Sequence, residues 1–547
     1  MKDKYARITR KASLSFLGLI IGTNLSMAQN NPPVANNDTV IYSGSSIQIS
    51  MSSLLANDID PDGNSLSWDT VINLTGNGTT NWYTQNAPMF SQQYSQDHPD
   101  SVFFGVDTLK YVVCDDGTPS LCDTAYIFII VDYKMYPYYT FLDINNINAR
   151  FNVSGSDFWD PLTGSPSFEA PKGSGKHSMF TSGLWIGGKD SNDSLHIAAV
   201  RYLGSGNDYY PGPMMNGSSY SAYEDSVWNK MWKISKAEVD NHMTSWSQPG
   251  YTAPSDFISW PAHGDITKGQ AADLAPYYDH NQDGSYNPYD GDFPLIRGDQ
   301  AIYFLRNDDR DVHNESGGEK LGIEIHGMAY AFACSPDSAL NNTIFVNYQI
   351  VNRSGNTYDS TIIGMNFDPD IGAYQDDYIG SDVARSTAFA YNGPAIDGSG
   401  APNHYGANPP AQGMTILKGP LMDADGMDNP AGGCDESING LGFGDGIADN
   451  ERFGMTNFLF NCNPGAIDCN SSTQGDPGTA IHYYNFIHGY WKDGTRMRYG
   501  GNGHVNNCSS CENANFMFPG DSDPCNWSTG GIQPAADTVL WDEVSAG

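Results

Sequence analysis

The chain has 547 residues, and its 63 acidic side chains against 27 basic ones give a formal charge of −36. That excess argues against nucleic acid and anionic lipid as partners, whose affinity comes from Lys and Arg, and it suits divalent cations or plain solubility. Aromatics at 12% and 59 glycines, among abundant Asn, Ser and Thr, point to a mainly β protein whose strands are joined by turns.

The N-terminus predicts export. Lys2, Lys4, Arg7, Arg10 and Lys11 form a basic start, Ala12 to Gly22 an apolar run, and Ser26-Met27-Ala28 a small-residue cleavage site. Residues 1–28 are therefore expected to be a signal peptide, with a mature chain from Gln29 that lives extracellularly or on the outer cell surface. The apolar run is too short to cross a bilayer, and no later stretch approaches ~18 apolar residues, so no membrane span is predicted. Length alone suggests roughly three to four domains.

Residues 31–133 form the first module. It opens with Pro32-Pro33-Val34-Ala35-Asn36-Asn37-Asp38, continues through Leu54-Leu55-Ala56-Asn57-Asp58-Ile59-Asp60-Pro61-Asp62-Gly63, and ends on two strand-like runs, 107–113 and 125–131. Between those runs Cys114 and Cys122 bracket the turn Asp115-Asp116-Gly117-Thr118-Pro119, which predicts a hairpin disulfide in an exported chain. The wording resembles bacterial cadherin-like and Ig-like modules. The resemblance implies a β-sandwich, with Asp58, Asp60 and Asp62 placed where calcium rigidifies a module junction. A turn capped by Asx side chains is the alternative reading of the same residues.

Residues 137–400 carry strand-like runs separated by Gly, Asn and Asp: Met179–Ile186, His196–Tyr202, Ala301–Arg306, Gly322–Cys334, Thr343–Asn352 and Asp359–Phe367. Asp225–Met243, with Trp228, Met231, Trp232 and Ile234, is predicted as a helix. The region is expected to be a large β-sandwich or jelly-roll-like domain. Residues 401–547 are rich in Gly, Asp and Cys and poor in strand signals. Cys462 and Cys469 bracket a second turn. Cys334, Cys434, Cys508, Cys511 and Cys525 are then left, an odd number.

Much of 137–547 is similar to an uncharacterised family of secreted proteins that use type IX secretion. The matching pieces are Phe141-Leu142-Asp143-Ile144-Asn145-Asn146, Gly183-Leu184-Trp185-Ile186-Gly187-Gly188, Pro294-Leu295-Ile296-Arg297-Gly298-Asp299, Asp368-Pro369-Asp370-Ile371-Gly372 and Gly444-Asp445-Gly446-Ile447-Ala448-Asp449-Asn450-Glu451. The resemblance implies export and surface sorting but carries no activity. Such proteins usually end in a β-sandwich sorting domain, and its lack here leads us to expect an incomplete C-terminus. Asp-Ser/Thr-aliphatic tripeptides such as Asp38-Thr39-Val40 and Asp107-Thr108-Leu109 resemble the O-glycosylation signal of the same bacteria.

The sharpest chemical feature is Asp279 to Asp290. Calcium takes about six to eight hard oxygens, and a tightly wound loop supplies them from alternate positions. Asp279, Asn281 and Asp283 stand at positions 1, 3 and 5, Gly284 at the sharp turn, the Ser285 carbonyl at 7, Asn287 at 9 and Asp290 at 12. Tyr286 at position 8, Asp in place of Glu at 12 and the missing flanking helices argue for a fixed brace rather than a sensor. Asp445, Asp449 and Glu451 form a weaker candidate, resembling part of a thrombospondin type 3 repeat. Asp368, Asp370, Asp376, Asp377 and Asp382 are better read as a polar loop. His504, Cys508, Cys511 and Cys525 could bind zinc by type, though disulfides are favoured outside the cytoplasm. No catalytic motif is present, so the expected function is a calcium-stabilised surface, adhesion or structural protein whose partners are surface glycans or other surface proteins. The alternative is a carbohydrate-binding or carbohydrate-active protein using Trp185, Trp228 and Trp260 as an aromatic platform.

Overall fold

The computed structural model describes residues 30–42, 46–74, 79–83, 89–93, 105–131, 138–202, 206–333, 338–422, 424–430, 434, 439–462, 470–506, 509–534 and 541–543. The predicted signal peptide lies outside them, as do Cys334, Cys469 and Cys508. The chain is mainly β, in two compact units that meet in sequence at Ile129/Ile130.

Among the described residues the N-terminal unit has seven strands: β1 (Asp38–Tyr42), β2 (Ser46–Ser50), β3 (Leu66–Asn73), β4 (Thr79–Tyr83), β5 (Met89–Gln93), β6 (Gly105–Asp115) and β7 (Cys122–Val131). One sheet runs β1-β7-β6-β3 and the other β2-β5-β4. Side chains alternate faces along a strand. Leu109, Tyr111 and Val113 on β6, and Ala125, Ile127 and Ile129 on β7, are accordingly buried, while Val106 and Tyr126 are exposed. Cys114 and Cys122 are disulfide-bonded across the hairpin, as their spacing predicts. The turn is built on Asp115, whose Oδ1 accepts from the amides of Gly117 and Leu121, both at 3.0 Å.

The second unit is layered around the strand Gln300–Asn307, all eight of whose residues are buried. It pairs antiparallel with Ile323–Ala331 on one side, and with Trp232–Ser235 and Tyr210–Pro211 on the other; Phe345–Asn352 extends the sheet. On one face Ile302 and Phe304 pack against Leu142, Ala149, Phe151 and Phe168, which come from the sheet of Tyr139–Leu142, Asn148–Asn152, Phe168–Glu169 and His177–Met179. On the other face Ala301, Tyr303 and Leu305 meet Trp232, Val239, Phe257 and Trp260. A third sheet, Leu195–Ala198, Thr181–Lys189 and Asp359–Asp368, packs Leu184 and Ile186 onto Ile323 and Ile325. Its outer face, with Trp185 and Ile197, is covered by the helix Ala480–Ile487 and by Trp491, Met497, Phe518 and Trp541. Residues beyond 400 thus contribute to the interior although they carry few strands.

The helix expected at Asp225–Met243 is two helices, Ala222–Trp228 and Lys236–Ser245, with the strand Trp232–Ser235 between them. Trp232 and Ile234 alternate inward against Tyr303 and Ala301, and Ser235 with Glu238 forms a capping box that starts the second helix. Cys434 is bonded to Cys525, and Cys462 and Cys511 each take part in a disulfide, so the disulfide reading of these cysteines stands.

Candidate calcium loops

The loop Asp279–Asp292 is closed at its neck by an antiparallel ladder of Tyr277–Tyr278 with Phe293–Pro294. It winds around Asp279: the Gln282 amide donates to Oδ1 at 2.6 Å and the Gly284 amide to Oδ2 at 2.8 Å. Gln282 and Gly284 take left-handed φ of 61° and 77° to make the turn. The Asp283 amide donates to Asn281 Oδ1 (3.1 Å), and the Ser285 amide to Asp283 Oδ1 (2.8 Å). Asn281 Nδ2 donates to Asp283 Oδ2 (3.0 Å), and Asn287 Nδ2 to Asp290 Oδ2 (2.7 Å). The predicted ligands are therefore on one exposed turn, with their oxygens drawn to backbone amides. A carboxylate oxygen has two lone pairs, so these bonds leave acceptor capacity for a cation, and the donor set fits calcium in kind.

Two residues outside the motif hold the loop. Asp292, fully buried, accepts from the amides of His280 and Asn287, both at 2.8 Å. Tyr286 packs edge-on to Tyr277 at 5.3 Å and donates to the Phe257 carbonyl at 2.8 Å, tying the turn to the interior. Its place at position 8 is an anchor. No helix pair flanks the loop; a single 3₁₀ turn, Pro288–Asp290, precedes the neck.

The second tract is two loops stitched together. Asp449 Oδ1 accepts from Gly426 (2.7 Å), Glu451 Oε1 from Asn429, and Asp428 from the amides of Gly444 (2.8 Å) and Gly446 (2.6 Å). Asp445 instead accepts from Ile447 (2.9 Å) and Asn450 (2.9 Å) in its own turn. Asp428, Asp449 and Glu451 together join the two loops.

In the N-terminal unit Asp58, Asp60 and Asp62 do not share one centre. Asp58 turns to the buried Tyr111 hydroxyl (3.3 Å), which also meets Asp38 (3.0 Å) and the Asn36 carbonyl (2.8 Å). Burial raises both carboxyls, and neighbouring carboxylates, Asp58 for Asp38 and Asp123 for Asp58, push the same way against the Tyr111 bond. Asp60 caps its own turn through the amides of Asp62 (2.8 Å) and Asn64 (2.9 Å), and Asp62 binds Asn31. Among the described residues, no three His, Cys, Asp or Glu side chains converge in a preformed metal cage.

The group around Asp368 is more enclosed than a polar loop. Asp368 accepts from the Tyr202 hydroxyl at 2.8 Å. Burial first, then the charges of Asp368 and Asp377, pushes the Asp370 carboxyl up to about 7. Asp377 is likewise pushed up to about 7 by burial and by Asp376, Asp397 and Glu543. The aromatic platform, by contrast, is not available. Trp185 and Trp260 are 5% exposed, and Trp228 packs against the same interior cluster as Trp260, because their rings fill the space beside the central strands.

Residues 30–129 match the bacterial Ig domain family, which identifies the N-terminal unit. No curated protein is similar to the chain. Among solved structures, mouse cadherin-23 EC22-24 is similar at 12% identity over 31% of this chain, with a TM-score of 0.16, and protocadherin gamma C5 EC1-3 at 15% over 21%, with 0.13. A nucleoside hydrolase-related hypothetical protein from Saccharophagus degradans, associated with carbohydrate metabolism, is similar at 21% over 19%, with 0.15. The chain covers 65%, 36% and 26% of these three structures, less than two thirds of each. Among the described residues no helix is long and apolar enough to cross a membrane.

Proposed function

We propose that the protein is exported and acts at the outer cell surface, in adhesion or as a structural component, with calcium bracing its loops. The observation that carries this reading is the Asp279–Asp292 turn. It wraps its amides onto Asp279, presents side-chain oxygens at alternate positions, and is anchored beneath by Asp292 and Tyr286. The bacterial Ig domain supports a surface setting, and the disulfides support an oxidising compartment. The similarity of residues 137–547 to proteins that use type IX secretion makes that the proposed route, and surface glycans or other surface proteins the proposed partners. Asp449 and Glu451, where two loops are stitched together, would be a lesser calcium position.

A cation that binds only the folded state stabilises it by RT ln(1 + c/Kd), where c is the free Ca2+ concentration. Chelation is expected to lower the melting temperature of the purified full chain, and readdition of Ca2+ to restore it. Asp283→Ala should reproduce part of the loss. A melt indifferent to chelator and Ca2+ refutes the reading.

A further inference from the structure

The enclosed acidic group holds oxygens that the fold leaves without donors. Asp376 Oδ2 accepts from the Gly398 amide at 3.0 Å and Asp377 Oδ2 from the Ile371 amide at 2.7 Å. The Oδ1 atom of each is shielded from solvent and has no hydrogen-bond partner. Asn392, 9% exposed, stands directly opposite Asp377 in the antiparallel pairing of Asp377–Asp382 with Thr387–Asn392. Residues so paired share a face, with Cβ atoms about 5 Å apart. The Asn392 Nδ2 is committed to the Pro394 carbonyl at 2.6 Å, and its Oδ1 is the third shielded oxygen without a donor.

The surroundings add negative charge. Asp370 feels Asp368 and Asp377, and Asp377 feels Asp376, Asp397 and Glu543. Asp397, fully buried, spends its oxygens on the amides of Ala373 and Tyr405, while the Ile371 amide bond to Asp377 ties the loop that carries Asp370 to the strand that carries Asp377. Shielded oxygens without donors, two of them on residues paired across one sheet face, are unfavourable unless something positive sits beside them. Two carboxylates and an amide carbonyl are hard donors, the chemistry of calcium.

We propose that Asp376, Asp377 and Asn392 form a calcium site between the start of the strand Asp377–Asp382 and the end of Thr387–Asn392. The Asn392 amide oxygen takes the place of a third acidic ligand. This site does not rest on the reading of the Asp279–Asp292 loop, and either can fail alone.

The test is calorimetric titration of the chelated full chain with Ca2+, using wild type, Asp283→Ala, Asp377→Asn and Asn392→Ala, with circular dichroism as the check on folding. Asp377→Asn is expected to lose one equivalent that Asp283→Ala retains, and Asn392→Ala to weaken that equivalent at least tenfold. If Asp377→Asn does not fold, Asn392→Ala, which leaves every carboxylate in place, decides alone. An unchanged stoichiometry and affinity in the folded variants overturns the site. So does Asp377→Asn melting higher than wild type with its Ca2+ binding intact, since the carboxyl is then simply protonated. Loss of binding only in Asp283→Ala overturns this site while sparing the loop.

Discussion

Asp292→Asn separates the support of the calcium loop from its ligands. The native carboxylate is fully buried and accepts two amides, from His280 and Asn287, each at 2.8 Å. Asparagine has nearly the same shape but offers one acceptor oxygen, so its NH2 must face one of the two amide donors. One hydrogen bond to a charged group is lost, and two donors confront each other in a dry place, which together cost roughly 2–4 kcal/mol. The Tyr277–Tyr278 ladder and the Tyr286 anchor survive, so the damage should stay within the loop. At ~1.4 kcal/mol per factor of ten, amide exchange in residues 280–291 of the chelated protein should accelerate by roughly 10²-fold. The strand Gln300–Asn307 should exchange as before. Hydrogen exchange read by mass spectrometry on peptides covering both segments measures this directly. Unchanged exchange in the loop, or equal acceleration in both segments, refutes the assignment of Asp292 as the local staple.

Other expectations follow from single contacts. Gly364→Val places a Cβ at 2.6 Å from Ile487 Cγ2, so the helix Ala480–Ile487 must shift, at about 1–3 kcal/mol by calorimetry. Tyr483→Phe removes the hydroxyl that donates to Glu315 Oε1, leaving a buried carboxylate whose Oε2 is already unpartnered; denaturant unfolding should show a loss of roughly 1–2 kcal/mol. The Cys434–Cys525 bond spans 91 residues and Cys114–Cys122 only 8. From loop-closure entropy alone, Cys434→Ser should cost its unit about 2 kcal/mol more than Cys114→Ser costs the N-terminal one.

The parts legible in the sequence are those where one local pattern decides the outcome. The period-two burial of Leu109, Tyr111 and Val113 follows from alternation alone, and the Cys114–Cys122 bond from two cysteines flanking a short turn. The stretch 225–243 misleads because Trp228, Met231 and Trp232 are spaced as on a helix face. Only the Ser235–Glu238 capping box marks the restart, and only pairing with Tyr303 makes Trp232 part of a strand. The ring of Trp185 points inward because a helix about three hundred residues later covers its sheet, which no local pattern reveals. At the loop, the motif finds the turn residues but stops at position 12, two short of Asp292. At Asp376 and Asp377 the acids are visible in sequence, whereas their enclosure depends on pairing with Asn392.

The strand Gln300–Asn307 has a further consequence for how the second unit comes apart. Ile302 and Phe304 belong to one interior, and Ala301, Tyr303 and Leu305 to another. Peeling off a neighbouring strand therefore wets both interiors at once, and no intermediate opening relieves one without the other. Loss of this strand should therefore open both interiors together, whereas the loops hung on its ends can open individually. A molecule with that division can yield at its periphery under load and recover, as long as the shared strand keeps its partners.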